Sequence, residues 1–173
     1  MFIRVIMSYR NGQQIEMISR EQAIKAAINA VEESGLPHPC SLQRCLENMD
    51  LVHCLFIHRL DDPGSSYYIL YWLLNNKMIC IAEVEACSGK VLSFTPFTHP
   101  ATEHYHDTDK FEEIIRIRYP DEEITDSDLV WKPCRESNSS IYPFRRVSTD
   151  KNTYFISMFG DVYTELSPVA QSI

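Results

Sequence analysis

Apolar and polar residues recur along this chain with two different periods, and the switches between them mark out its elements. The helical period comes first. Ser19-Arg20-Glu21-Gln22 has the spacing of a capping box, in which a serine hydroxyl and a glutamine side chain satisfy backbone amides at a helix start. Ala23, Ile24, Ala27, Ile28 and Val31 then form one apolar stripe, Gly35 supplies a C-terminal cap, and Pro37 blocks continuation. Leu42, Cys45, Leu46 and Met49 suggest a short second helical piece. From Leu51 to Leu60, the residues Val52, Cys54, Phe56 and Ile57 read as a strand, ended by the turn Asp61-Asp62-Pro63-Gly64. Tyr67 to Leu74 is apolar on both faces, which predicts a strand covered on each side. Asn75-Asn76 turns the chain into Lys77 to Ala86, with Met78, Cys80, Ala82, Val84 and Ala86 on one face and Glu83 and Glu85 on the other. Ser88-Gly89-Lys90 turns it again into Val91 to Phe94, completing a meander.

Thr95 to Asp107 has two prolines, three histidines and no period, so it reads as a connection. The same plan then recurs. Phe111, Ile114 and Ile115 predict an amphipathic helix supported by Glu112 and Arg116 and stopped at Tyr119-Pro120. Leu129 to Lys132, Ile141 to Ser148, Thr153 to Met158 and Val162 to Leu166 read as short strands. Asp150-Lys151-Asn152 takes the place of Asn75-Asn76-Lys77, and Phe159-Gly160-Asp161 that of Ser88-Gly89-Lys90. The expected architecture is α+β: two helix-plus-antiparallel-sheet units, residues 1–96 and a shorter 108–173, joined by 97–107 and packed as one compact protein.

Ile18-Ser19-Arg20-Glu21-Gln22-Ala23-Ile24-Lys25-Ala26-Ala27 resembles the helix opening of the PepSY domain, a module of peptidase propeptides and small bacterial proteins. Ala82-Glu83-Val84-Glu85-Ala86-Cys87-Ser88-Gly89-Lys90-Val91-Leu92 resembles its closing hairpin, and Tyr154 to Leu166 resembles a second, more degenerate one. The resemblance implies tandem PepSY-like, cystatin-like units, each laying a helix across an antiparallel sheet. It also implies binding or restraint of a peptidase without catalysis.

Composition narrows the function classes. Nine Tyr, eight Phe and two Trp favour pleated, half-buried positions. Five Gly, with no G-x-G-x-x-G or G-x-x-x-x-G-K-[ST] string, argue against phosphate-loop chemistry. A net charge of −8 sets the chain's field against nucleic acid and anionic membranes. The acids between Asp107 and Asp128 outnumber Lys110, Arg116 and Arg118, so a basic partner is steered there or the run is a solvated surface. The N-terminus does not read as a secretory signal and no apolar stretch is long enough to span a bilayer, so the expected compartment is cytoplasmic. Cysteines 40, 45, 54, 80, 87 and 134 include no Cys-x-x-Cys pair and read as reduced core thiols.

Candidate chemistry is sparse. His99, His104 and His106 with Asp107 and Asp109 are the densest set of potential metal ligands, but they match no hydrolase motif, and solvated polar surface is the preferred reading. Cys134 is the best thiol candidate, because Lys132 and Arg135 beside it would lower its pKa. The stretch Trp131 to Phe144 combines prolines, serines, aromatics and charges, and Arg145 and Arg146 follow it. Aromatics and arginine on an ordered loop are the usual anchors of an interface, and a packing corner uses the same residues. Trp131, Cys134, Arg135, Glu136, Tyr142 and Arg145 are the binding candidates, while Trp72 reads as core. The expectation is a non-enzymatic module, without cofactor or metal, that meets a protein or peptide by a sheet edge, a sheet face or this loop. The alternatives are an acidic immunity-type protein neutralising a basic toxin and an enzyme with a thiol or metal site. Open edge strands would favour a homodimer.

Overall fold

A computed structural model describes residues 7–10, 13–33, 52–75, 77–101 and 108–169. Two α-helices occur among them, α1 (Arg20–Glu33) and α2 (Thr108–Arg118). The strands are β1 (Met7–Arg10), β2 (Gln13–Glu16), β3 (Val52–Arg59), β4 (Tyr67–Leu74), β5 (Lys77–Glu85), β6 (Val91–Ala101), β7 (Ile124–Trp131), β8 (Phe144–Thr149), β9 (Thr153–Ile156) and β10 (Val162–Tyr163). β1 and β2 form a separate hairpin. The others form one eight-stranded sheet in the order β10-β9-β8-β7-β3-β4-β5-β6.

This order corrects the expected pair of helix-plus-antiparallel-sheet units. The protein is mostly sheet, and the sheet is mixed: β3 runs parallel to β7, with His58 opposite Val130 and Arg59 opposite Trp131. Apolar periodicity specifies which face of a strand is buried but not its partner or direction, so two separate antiparallel sheets were the simplest reading, and the parallel pairing of β3 with β7 in one sheet overturns it. By backbone proximity, Met1–Phe56 with Asp62–Glu103 form one unit and Ile57–Asp61 with His104–Ile173 another. The expected short helix at Leu42 to Met49 lies outside the described residues.

In the first unit, the capping box forms as the sequence specifies. The Ser19 amide donates to Gln22 Oε1 at 2.7 Å, and the Gln22 amide donates to Ser19 Oγ at 3.2 Å. Two further bonds fix the helix entry: Ile18 N donates to Ala86 O at 2.8 Å, and the Tyr68 hydroxyl donates to Ile18 O at 2.7 Å. Ala23, Ile24, Ala27 and Val31 of α1 then pack on Tyr68, Leu70 and Trp72 of β4 and Cys80, Ala82 and Val84 of β5. Tyr67, Ile69 and Tyr71, which alternate with that set, are buried as well, so β4 is covered on both faces as its sequence requires. β5 is buried nearly throughout, and Glu83, expected on its outer face, is itself buried, accepting a 2.5 Å hydrogen bond from Ser93 Oγ. Asn75 takes a φ of 51° at the β4–β5 turn, a left-handed value that asparagine tolerates.

β6 continues through Ala101, beyond the Phe94 at which the sequence reading ended it. Pro96 and Pro100 suggested a loop, yet β6 ends the sheet order, and an edge strand tolerates residues that cannot donate to a ladder. At the other end of the order, β10 has only two residues. A long edge carrying prolines and a very short edge both resist pairing with another chain.

In the second unit, β7 to β10 form an antiparallel meander. Phe111 and Ile115 of α2 pack on Val147, Tyr154 and Ile156. The Glu112–Arg116 pair forms at 2.6 Å, and the helix stops before Tyr119-Pro120. The segment after α2 is fastened to the β8–β9 hairpin through Glu122. Its carboxylate accepts from Thr149 Oγ1 at 2.6 Å, Asn152 Nδ2 at 2.9 Å and the Tyr154 hydroxyl at 2.9 Å. These bonds, Thr149's first, hold Glu122 below the usual carboxylate range.

A carboxyl whose folded pKa is depressed stabilises the fold above its unfolded pKa and loses that contribution as pH falls through the folded value. The thermal stability of the wild type is therefore expected to fall as pH drops below the ordinary glutamate value of 4.5, and Glu122→Gln is expected to flatten that acid limb. An acid limb identical in both proteins would show that Glu122 does not fasten the hairpin. Ser19→Ala is expected to cost about 1 kcal/mol in denaturant unfolding.

Candidate binding surface

The corner between β7 and β8 is tied together by the polar groups that made its sequence look irregular. Cys134 N donates to Ser137 O at 3.2 Å, and Tyr142 N donates to Ser139 O at 3.0 Å. The Ser137 hydroxyl lies 2.9 Å from Tyr142 O and 3.1 Å from Ser139 O. The corner is also sewn to the chain beyond β10. Arg135 N donates to Ser167 O at 3.1 Å, Ser167 N donates to Glu136 Oε2 at 3.0 Å, and Cys134 bridges to Pro168. Beneath it, Cys134, Val130, Phe144 and Leu166 form a small core.

This arrangement divides the six residues singled out from the sequence. Trp131 closes β7 and is 7% exposed, with the Arg59 guanidinium carbon 5.1 Å from the centre of its ring. Cys134 is fully buried, its thiol 3.4 Å from Ser137 O. Burial pushes its pKa up, opposite to the direction expected from Lys132 and Arg135. Burial also pushes Cys54 up to about 12 and Cys80 higher still. Arg145 lies under α2, away from the corner's outer surface. Arg135 is exposed, while Glu136 and Tyr142 are half-buried. Burial works to raise Glu136, but backbone amides and Ser167 hold it below the usual range.

Tyr142 leads to a residue that the sequence reading treated only as part of a turn. Its ring lies 5.9 Å from that of Phe159, tilted by 42°. Phe159 sits between β9 and β10 and is 77% exposed. Its turn is fixed from within: Ser157 N donates to Asp161 O at 2.8 Å, and Gly160 N donates to Ser157 O at 2.9 Å. The amides of Phe159 and Asp161 also donate to Ser157 Oγ, at 3.2 and 3.1 Å. Gly160 has a φ of +92°, a conformation that a side chain would strain. The turn therefore holds a large apolar ring in water without the entropy that a mobile loop would lose on binding. Ser157 and Gly160 flanking an aromatic are the signal that could have identified it in the sequence.

His99 lies on β6, whereas His104, His106 and Asp107 fall outside the described residues. Among the described residues, no three His, Cys, Asp or Glu side chains converge as metal ligands, and no helix is long and apolar enough to cross a membrane.

Trp131→Ala is expected to lose about 3 to 5 kcal/mol of stability, the usual cost of emptying a buried aromatic site; denaturant unfolding measures it. An unchanged midpoint would place Trp131 at the surface. In native protein, Cys134 is expected to react with a thiol reagent far more slowly than in denatured protein.

No protein-family model, curated protein or solved structure matches this chain, so the likeness to PepSY rests on its short motifs alone.

Proposed function

We propose that this chain is a non-enzymatic binding module that recognises a protein or peptide through the surface formed by Phe159 and Tyr142, with Arg135 and Glu136 on the adjoining corner. Phe159 is the observation that carries the reading: a large aromatic, mostly in water, held by a turn that its own hydrogen bonds fix. Rigid aromatics that fill a partner's pocket supply most of the energy of many interfaces. The blunted strands β6 and β10 favour this surface over pairing at a sheet edge. The PepSY resemblance makes a peptidase the first partner class to test. The thiols that burial drives upward weigh against a cysteine nucleophile.

A second reading has its own observation. Asp109, Glu113, Asp121, Glu123 and Asp126 are all exposed, which suits electrostatic capture of a basic protein. Salt separates the two, because screening weakens exposed charge pairs and leaves apolar burial in place.

Pull-down from the source lysate at low and high salt, with wild type and Phe159→Ala in parallel, is the test. The expected result is one stoichiometric partner that survives high salt and is lost with Phe159→Ala, whose unfolding transition stays unchanged; a hot-spot loss is about 2 kcal/mol or more. A partner kept by Phe159→Ala but released by salt would transfer the proposal to the acidic surface. Failure to capture any partner at either salt would overturn both readings.

A further inference from the structure

The face of β7, β8 and β9 that α2 covers contains a buried cation that, among the described residues, forms no ion pair. Arg145 is 7% exposed. Its register partners are Leu129 on β7 and Ile156 on β9, and Val147 follows on the same face of β8. All three are apolar and buried. Two carboxylates influence Arg145 from nearby, Asp128 and Glu112, but each is engaged elsewhere. Asp128 lies on the opposite face and accepts from Arg146 Nε at 2.8 Å and Nη2 at 2.7 Å. Glu112 accepts from Arg116 at 2.6 Å. Among the described residues Arg145 forms no ion pair, and its Nε–H is buried without a hydrogen-bond partner. Burial accordingly lowers its pKa.

A second unpaired group stands beside it. Ser127 precedes Leu129 by two positions on the same face of β7 and is opposite Val147, which makes it the diagonal neighbour of Arg145. Its Oγ is also buried without a partner. Diagonal neighbours across an antiparallel pair are about 7 to 8 Å apart, within reach of a long side chain. The other buried charged side chain among the described residues, Glu83, is matched by Ser93; the neutral Trp72 Nε1 is, like Ser127 Oγ, buried without a hydrogen-bond partner. A buried cation without a matching anion is costly, and folded proteins seldom keep one without a use for it.

We infer that Arg145 and Ser127 form a binding site for a small monocarboxylate. The Nε–H and the adjacent terminal N–H of a guanidinium form a planar fork that matches the two oxygens of a carboxylate, and the Ser127 hydroxyl adds a third donor. Leu129, Val147 and Ile156 are the apolar side chains on the same face, which suits a ligand whose remainder is short and apolar. The nearby charges of Asp128 and Glu112, in a chain of net charge −8, select against a dianion such as phosphate.

The test uses the whole chain at fixed ionic strength, titrated with acetate and propionate, with inorganic phosphate, and with a short peptide in free-acid and amidated forms. Calorimetry and thermal unfolding are the readouts. Acetate and propionate are expected to bind saturably and raise the unfolding temperature, while phosphate does neither. Free-acid peptide binding as tightly as propionate would identify a chain terminus as the source of the carboxylate; binding of propionate alone would identify a small metabolite. Ser127→Ala is expected to bind about tenfold more weakly, the loss of one hydrogen bond to a charged group. Arg145→Gln is expected to abolish binding. Glu112→Gln, which removes a like charge, is expected to tighten it. Wild type that binds no carboxylate, equal binding of phosphate, or undiminished binding by Ser127→Ala would each overturn the inference, whether or not Arg145→Gln folds.

Discussion

Burial of both faces of the central strands β4 and β5 is the constraint on which the rest of this structure depends. β4 has no charged side chain and is covered on each side, and β5 beside it is buried nearly throughout. Under that condition a polar side chain on the sheet must bring its partner with it. Glu83 does so with Ser93, and Asp128 with Arg146. Among the described residues, Arg145 Nε, Ser127 Oγ and Trp72 Nε1 are buried without a hydrogen-bond partner, and of these only Arg145 bears a charge.

Strand β8 shows how one short sequence serves two surfaces. Phe144 and Arg146 face the core under the β7–β8 corner and the pair with Asp128, while Arg145 and Val147 face α2. The corner and the turn after β9 are then held by local bonds, from Ser137 in one and Ser157 in the other. Serine hydroxyls that accept from or donate to nearby backbone fix irregular chain without a large core. The consequence is a rigid display of Phe159 against Tyr142, on a surface that the packing of the sheet does not consume.

The elements defined by local chemistry were legible in the sequence. The Ser19–Gln22 box, the stripe of α1, the two-faced apolar strand β4 and the stop of α2 at Tyr119-Pro120 each follow from neighbours within a few residues. The parallel pairing of β3 with β7 was not, because a strand's period does not record its partner. Nor was the length of β6, since Pro96 and Pro100 read as loop residues wherever edge position is unknown. Among the candidate site residues, Tyr142 and Arg135 are accessible, whereas Trp131, Cys134 and Arg145 are buried. Composition told which side chains the corner holds but not which way each one points. Phe159 was passed over because a turn signal describes backbone shape and leaves open what covers its tip.

The central claim is that the Phe159 turn and the 139–144 corner form the recognition surface. Hydrogen exchange on the full chain, alone and in complex with the partner it captures, tests this most directly. The account predicts that added protection concentrates in the amides of 157–161 and 139–144. Protection that appears instead along β6 or along the acidic segment around α2, with 157–161 unchanged, would contradict it.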